Sequence, residues 1–138
     1  MTQEDKELLL KDLCARLPFN TIVTMAERGI DGLQWYNVTL NTYHLYQIEE
    51  ENAWEYIKPY LRPMSSMTEK EKKEYHNLCY AEERECYEFG EWTTKIYFHE
   101  TIESIDWLNA HHFDYRRLIE KGLAIEAPEG MYKTEEQQ

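Results

Sequence analysis

An α+β fold, with a small antiparallel sheet packed by helices, follows from three features of the 138-residue chain. Helical stretches are set off by capping signals, one segment alternates with period two, and aromatic residues make up 14% of the chain. That aromatic share supplies a core in spite of a net charge of −12 and a mean hydropathy of −0.78, because acidic chains that stay disordered are poor in aromatics. A mostly helical domain carrying a hairpin is the alternative architecture.

The first helix is expected over 3–16. Thr2 and Asp5 have capping-box spacing, and Leu9, Leu10, Leu13, Cys14 and Leu17 recur with helical period until Pro18 ends the run. A β-hairpin is expected within about 20–48. Its first strand, Thr21–Ala26, is rich in β-branched residues, and its second, Leu33–Thr42, points Tyr36, Val38 and Leu40 one way and Trp35, Asn37 and Thr39 the other. The connection Arg28–Gly32 holds two glycines where positive φ is needed, and Tyr43–Ile48 is a candidate extension of the second strand.

Residues 49–67 read as a surface loop, since Pro59 and Pro63 push the residues before them toward extended geometry. Thr68-Glu69-Lys70-Glu71 is a second capping box and opens a long helix over 69–88, whose stripe is Tyr75, Leu78, Cys79, Cys86 and Phe89 with Glu82 as the polar interruption. Thr94–Phe98 is a strand candidate, 94–98, with Thr94, Ile96 and Phe98 on one face, and it is a prospective member of the hairpin's sheet. Thr101 caps a helix over 102–112 with the stripe Ile102, Ile105, Leu108, Asn109 and His112. Asp114 caps a last helix over 115–121, stopped by Gly122. Residues 1–133 are thus expected to form one globular domain and 134–138 a frayed polar tail.

Charge narrows function. The balance is 6 basic to 10 acidic groups in 1–64, 5 to 9 in 65–100 and 4 to 8 in 101–138, so the negative surface is spread along the chain. Such a surface is repelled by phosphates, which argues against DNA or RNA as a partner. Apolar runs are too short to cross a bilayer, so no membrane partner is expected. Cys14, Cys79 and Cys86 are an odd number without framework spacing, and residues 1–30 lack the pattern of a secretion signal, which points to a reducing cytoplasm.

Four stretches resemble a group of small uncharacterised proteins encoded by gut Bacteroidetes and their prophages. They are Ile57-Lys58-Pro59-Tyr60-Leu61-Arg62-Pro63-Met64-Ser65-Ser66-Met67-Thr68, Ile105-Asp106-Trp107-Leu108-Asn109-Ala110-His111-His112-Phe113-Asp114-Tyr115-Arg116, Lys11-Asp12-Leu13-Cys14-Ala15-Arg16-Leu17-Pro18, and Leu118–Lys133. Residues 20–55 and 79–100 lie outside it. The resemblance implies a bacterial or phage cytoplasmic setting and supplies no catalytic residues.

No constellation specifies a reaction. His76, Cys79, Glu83 and Cys86 fall along one face of the 69–88 helix, but one straight helix cannot wrap a tetrahedral ion with four ligands spread over about 15 Å, and the cysteines read as core residues. His111 and His112 point about 100° apart on a helix and do not share an ion. Calcium-loop spacing and phosphate-cradling glycine motifs are missing. No metal and no cofactor is therefore expected. The favoured function is a non-enzymatic protein-interaction module, acting on a protein partner or by self-association. An acidic decoy imitating nucleic acid is the first alternative and a small metal-dependent enzyme the second. The candidate interaction face is Trp107 with His111 and Glu103, because Trp107 is aimed away from the stripe of its own helix; a second layer of the same chain over it is the competing reading.

Overall fold

Helix α1, Gln3–Arg16, begins at its capping box: the Thr2 hydroxyl accepts from the Asp5 N–H at 3.1 Å, and the Asp5 carboxylate accepts from the Thr2 N–H at 3.2 Å. The computed structural model describes residues 2–132, and the tail expected over 134–138 lies outside them. After α1 come β1 (Ile22–Gly29), β2 (Gly32–Thr39), α2 (Thr42–Glu51), β3 (Ile57–Leu61), α3 (Glu69–Leu78), β4 (Tyr80–Glu88), β5 (Glu91–His99), α4 (Ile102–Ala110) and β6 (Ile125–Glu126). The fold is α+β. One sheet runs β2–β1–β3–β6, antiparallel except for the β3–β6 pair, and a separate two-stranded sheet joins β4 to β5.

Two hydrophobic clusters hold the chain. The first lies between the four-stranded sheet and the helices: Leu9 and Leu13 of α1 and Ile48 of α2 bury against Val23, Met25, Ile57 and Leu61, closed by Leu118 and Leu123. The second joins Tyr75 of α3 to Leu108 of α4 and Phe113, with Met67, Cys79, Ile105 and Trp107 packed on it. Polar groups tie the clusters together. Arg16 and Asp12, both fully buried, pair at 2.7 Å, and Arg16 also donates to the Phe113 carbonyl at 2.7 Å. Arg62 forks onto both Glu71 oxygens at 2.7 and 2.8 Å while its guanidinium lies 4.1 Å from the Phe113 ring centre.

Several expected elements are corrected by this arrangement. Helix 69–88 ends at Leu78, and its second half is strand β4. Residues 80–88 contain good helix formers, but they face β5 in a nine-pair ladder, and strand pairing overrides a weak local propensity. Strand 94–98 exists as the middle of β5, paired with β4 and not with the first hairpin. Tyr43–Ile48 belongs to helix α2 because Asn41 caps it, its side-chain oxygen accepting from the N–H groups of Tyr43 and His44 while His44 Nδ1 accepts from the Asn41 N–H.

The first hairpin turns on Ile30 and Asp31 alone, with Gly32 at φ +105° where an L side chain is strained. The loop expected over 49–67 contains β3, which sits between β1 and β6. Pro59 is tolerated there because β6 pairs only with Tyr60 and Leu61, leaving Pro59 one ladder neighbour, Val23. Helix 102–112 stops at Ala110, with His112 at φ +64°, and Ile102 faces solvent while Ser104 takes the buried position. No helix forms over 115–121. Asp114 accepts from the N–H groups of Leu118 and Ile119 as a cap would, but Arg117 at φ +60° breaks the run into turns.

Candidate functional site: an aromatic β-arm

Strands β4 and β5 form a twisted ribbon joined to the rest of the chain at its base. Its turn is the two-residue connection Phe89-Gly90, both with positive φ (53° and 81°), the geometry that matches the right-handed twist of a two-strand ribbon. Because cross-strand partners share a face, the register sorts the side chains into two sets. One set is polar: Glu82, Arg84, Glu88, Glu91, Thr93, Lys95 and His99, with Tyr80, Tyr97 and Cys86. Arg84 forks onto Glu82 at 2.8 and 2.9 Å, His99 Nε2 meets the same carboxylate at 2.7 Å, and Lys95 pairs with Glu88. Arg84, and after it His99, hold the Glu82 carboxyl down to about 2.

The opposite face is apolar. It presents Tyr87, Trp92, Ile96 and Phe98, which are 62%, 71%, 55% and 44% exposed, with Ala81, Thr94, Glu83 and Glu85. Tyr87 and Trp92 are cross-strand partners with ring centres 5.3 Å apart. At the base, Phe98 stacks on His76 of α3 at 3.9 Å. There the face runs into a recess of about 500 Å³ lined by Met64, Met67, Lys72, Tyr75, His76 and Phe98. A two-stranded ribbon is marginal in water by itself, and here it lays out Tyr87, Trp92 and Ile96 with no covering layer among the described residues, while Phe98 is partly covered by His76. Thioether side chains at the recess add a surface that adapts to what it meets.

The sequence-derived candidates sit elsewhere. Trp107 and His111 come together, their rings stacked at 4.0 Å, and Trp107 also lies 5.9 Å from Tyr75 and 5.7 Å from Phe113. Trp107 is half-buried, with Tyr75 of α3 and Phe113 of the second cluster packed against it. Glu103 is exposed in the first turn of α4. The set His76, Cys79, Glu83 and Cys86 is divided between a helix and a strand, with Cys79 at the end of α3, so its common helical face does not exist. Among the described residues no group of three or more His, Cys, Asp or Glu side chains is placed to hold a metal ion.

His112 is a strongly displaced titratable group away from the arm. Its ring stacks on Tyr132 at 3.8 Å and its Nδ1 lies 3.3 Å from the Thr21 hydroxyl. Burial first, then the charge of Arg16, push its pKa down to about 4. The Tyr132 hydroxyl accepts from the Ile22 N–H at 2.8 Å and donates to the Tyr60 carbonyl at 2.9 Å, bolting the C-terminal segment across β1 and β3. The groups of this cluster bond one another and tie the C-terminal segment to the four-stranded sheet.

The arm escaped the sequence reading because Ala81-Glu82-Glu83-Arg84-Glu85 favours a helix. Its signal lay in β5, where the alternation of Trp92, Thr94, Ile96 and Phe98 starts directly after Gly90. Comparison of the chain with protein-family models, with curated proteins and with solved structures finds no match in any of the three.

Proposed function

We propose that the protein is a non-enzymatic protein-interaction module of a bacterium or its prophage, and that the apolar face of the β4–β5 arm is its contact surface. One observation carries the reading: a ribbon held at its base exposes, on one face, the Tyr87–Trp92 pair and, beyond the Glu85–Thr94 pair, Ile96 and Phe98. Exposed apolar surface gathered on one face marks interaction sites, and aromatic residues are enriched among the hot spots of protein interfaces. The stretch 79–100 also lies outside the segments that resemble the Bacteroidetes and prophage proteins, as expected of the part that sets partner choice on a shared body. No described helix is long and apolar enough to cross a membrane. The nucleic-acid decoy reading calls for carboxylates gathered on one face, whereas the acidic excess is spread evenly along the chain.

The test compares wild type with a Trp92→Ala/Ile96→Ala variant as bait in lysate of a gut Bacteroidetes species. Both side chains are exposed, so the variant should keep its circular dichroism spectrum and melting temperature. Proteins retained by the wild type should be lost from the variant, at about 2 kcal/mol or more for a hot-spot pair. Equal retention by both baits overturns the reading.

A further inference from the structure

We propose that the apolar face of the arm takes a cationic amphipathic helix of a partner protein, an inference that rests on the arm being the contact surface. The two faces of the ribbon treat their carboxylates differently. On the polar face Glu82 and Glu88 are neutralised by Arg84, His99 and Lys95. On the apolar face Glu83 and Glu85 are exposed, belong to no ion pair among the described residues, and are the face's charged side chains. Both stand on β4, so two unpaired carboxylates lie beside the row Trp92, Thr94, Ile96 and Phe98 on β5.

A covering partner that left these carboxylates unpaired would meet their desolvation cost. A helix with an apolar stripe over β5 and Lys or Arg along the β4 side compensates them, and Trp92 and Tyr87 offer ring faces to the same cations. The dimensions agree. Strands of nine residues span about 30 Å at roughly 3.3 Å per residue, the length of about 20 helical residues. Two strands about 5 Å apart present a ribbon that one helix about 10 Å wide covers, as α1 and α2 cover the four-stranded sheet of this chain. A second copy of the protein is disfavoured, because it would bring one −12 chain against another and supply no excess of cations to Glu83 and Glu85.

The test uses two helical peptides of about 20 residues, one of leucine and lysine and one of leucine and glutamate, titrated against the full-length protein with Trp fluorescence and calorimetry as readouts. The leucine–lysine peptide should bind and the leucine–glutamate peptide should not. Glu83→Gln/Glu85→Gln should weaken binding at least about fivefold, whereas Glu49→Gln/Glu50→Gln, which removes two exposed charges from α2, should change it by less than about twofold. Trp92→Ala/Ile96→Ala should weaken it about thirtyfold or more. Equal loss in the two glutamine variants, or a concentration-dependent dimer abolished by Trp92→Ala/Ile96→Ala in sedimentation, overturns the cationic-helix proposal and leaves the arm as contact surface. Binding indifferent to Trp92 and Ile96 overturns both.

Discussion

Asp12 and Arg16 are the pair on which single-residue stability turns. Both are fully buried, Arg116 adds a second contact to Asp12 at 2.9 Å, and Arg16 Nη1 has no hydrogen-bond partner among the described residues. Asp12→Asn removes the carboxylate that compensates a buried guanidinium, so urea unfolding should show a loss of about 3–5 kcal/mol. The second residue-scale expectation concerns pH. His112 titrates near 4 when folded against 6.5 in an unperturbed side chain, so between those values the unfolded chain binds the proton and the folded chain does not. Its contribution is complete above about 6.5 and is lost as pH falls toward about 4, with a ceiling of about 3 kcal/mol. His44, lowered by burial, acts in the same direction, so the measurement is the difference in melting temperature against pH between wild type and His112→Asn. Asparagine tolerates the positive φ at that position, and the variant's profile should be flatter between pH 4 and pH 6.5. Neither buried group is visible as such in the sequence: Asp12 and Arg16 have the spacing of an ordinary exposed helix pair, and only the fold covers them.

Elements were legible where their signals are local. The boxes at Thr2 and Thr68 and the cap at Thr101 place three helix starts correctly, because a capping residue acts on N–H groups two or three positions away. Helix ends and strand pairings were less legible: Leu78 ends α3 only because residues 80–88 find partners across Gly90, and β3 is a strand because β1 and β6 flank it. The candidate site suffered most, since its aromatic row depends on that long-range pairing. The arm's own weak point is Phe89, a fully exposed aromatic at φ 53° in the turn. Phe89→Asn gives the Asn-Gly sequence this turn prefers and relieves strain of about 0.5–1 kcal/mol, so amide exchange of β4 and β5 should slow by roughly two- to fivefold. Unchanged exchange would mean that the arm opens by a route that leaves the turn intact.

At the scale of the whole molecule, the net charge of −12 acts on stability and on recognition with opposite signs. Screening relieves self-repulsion, so the melting temperature should rise between low salt and about 0.15 M, where the Debye length is roughly 8 Å. Over the same range the association of a cationic ligand should weaken. A melting temperature that falls with salt would show that attractive pairs such as Arg62–Glu71 outweigh the repulsion. A different consequence follows from the way the arm is rooted. The Thr101 hydroxyl donates to the Leu78 carbonyl at 2.6 Å and Tyr80 stands opposite His99, so the points where the chain leaves and re-enters the body are neighbours in space. Loop-closure entropy changes slowly with length, so whatever spans those two points matters little to the body beneath. On the proposed reading of the arm as contact surface, residues 80–99 form a cassette in a fixed socket, whose length and sequence can change while Tyr75, Leu108 and Phe113 stay packed.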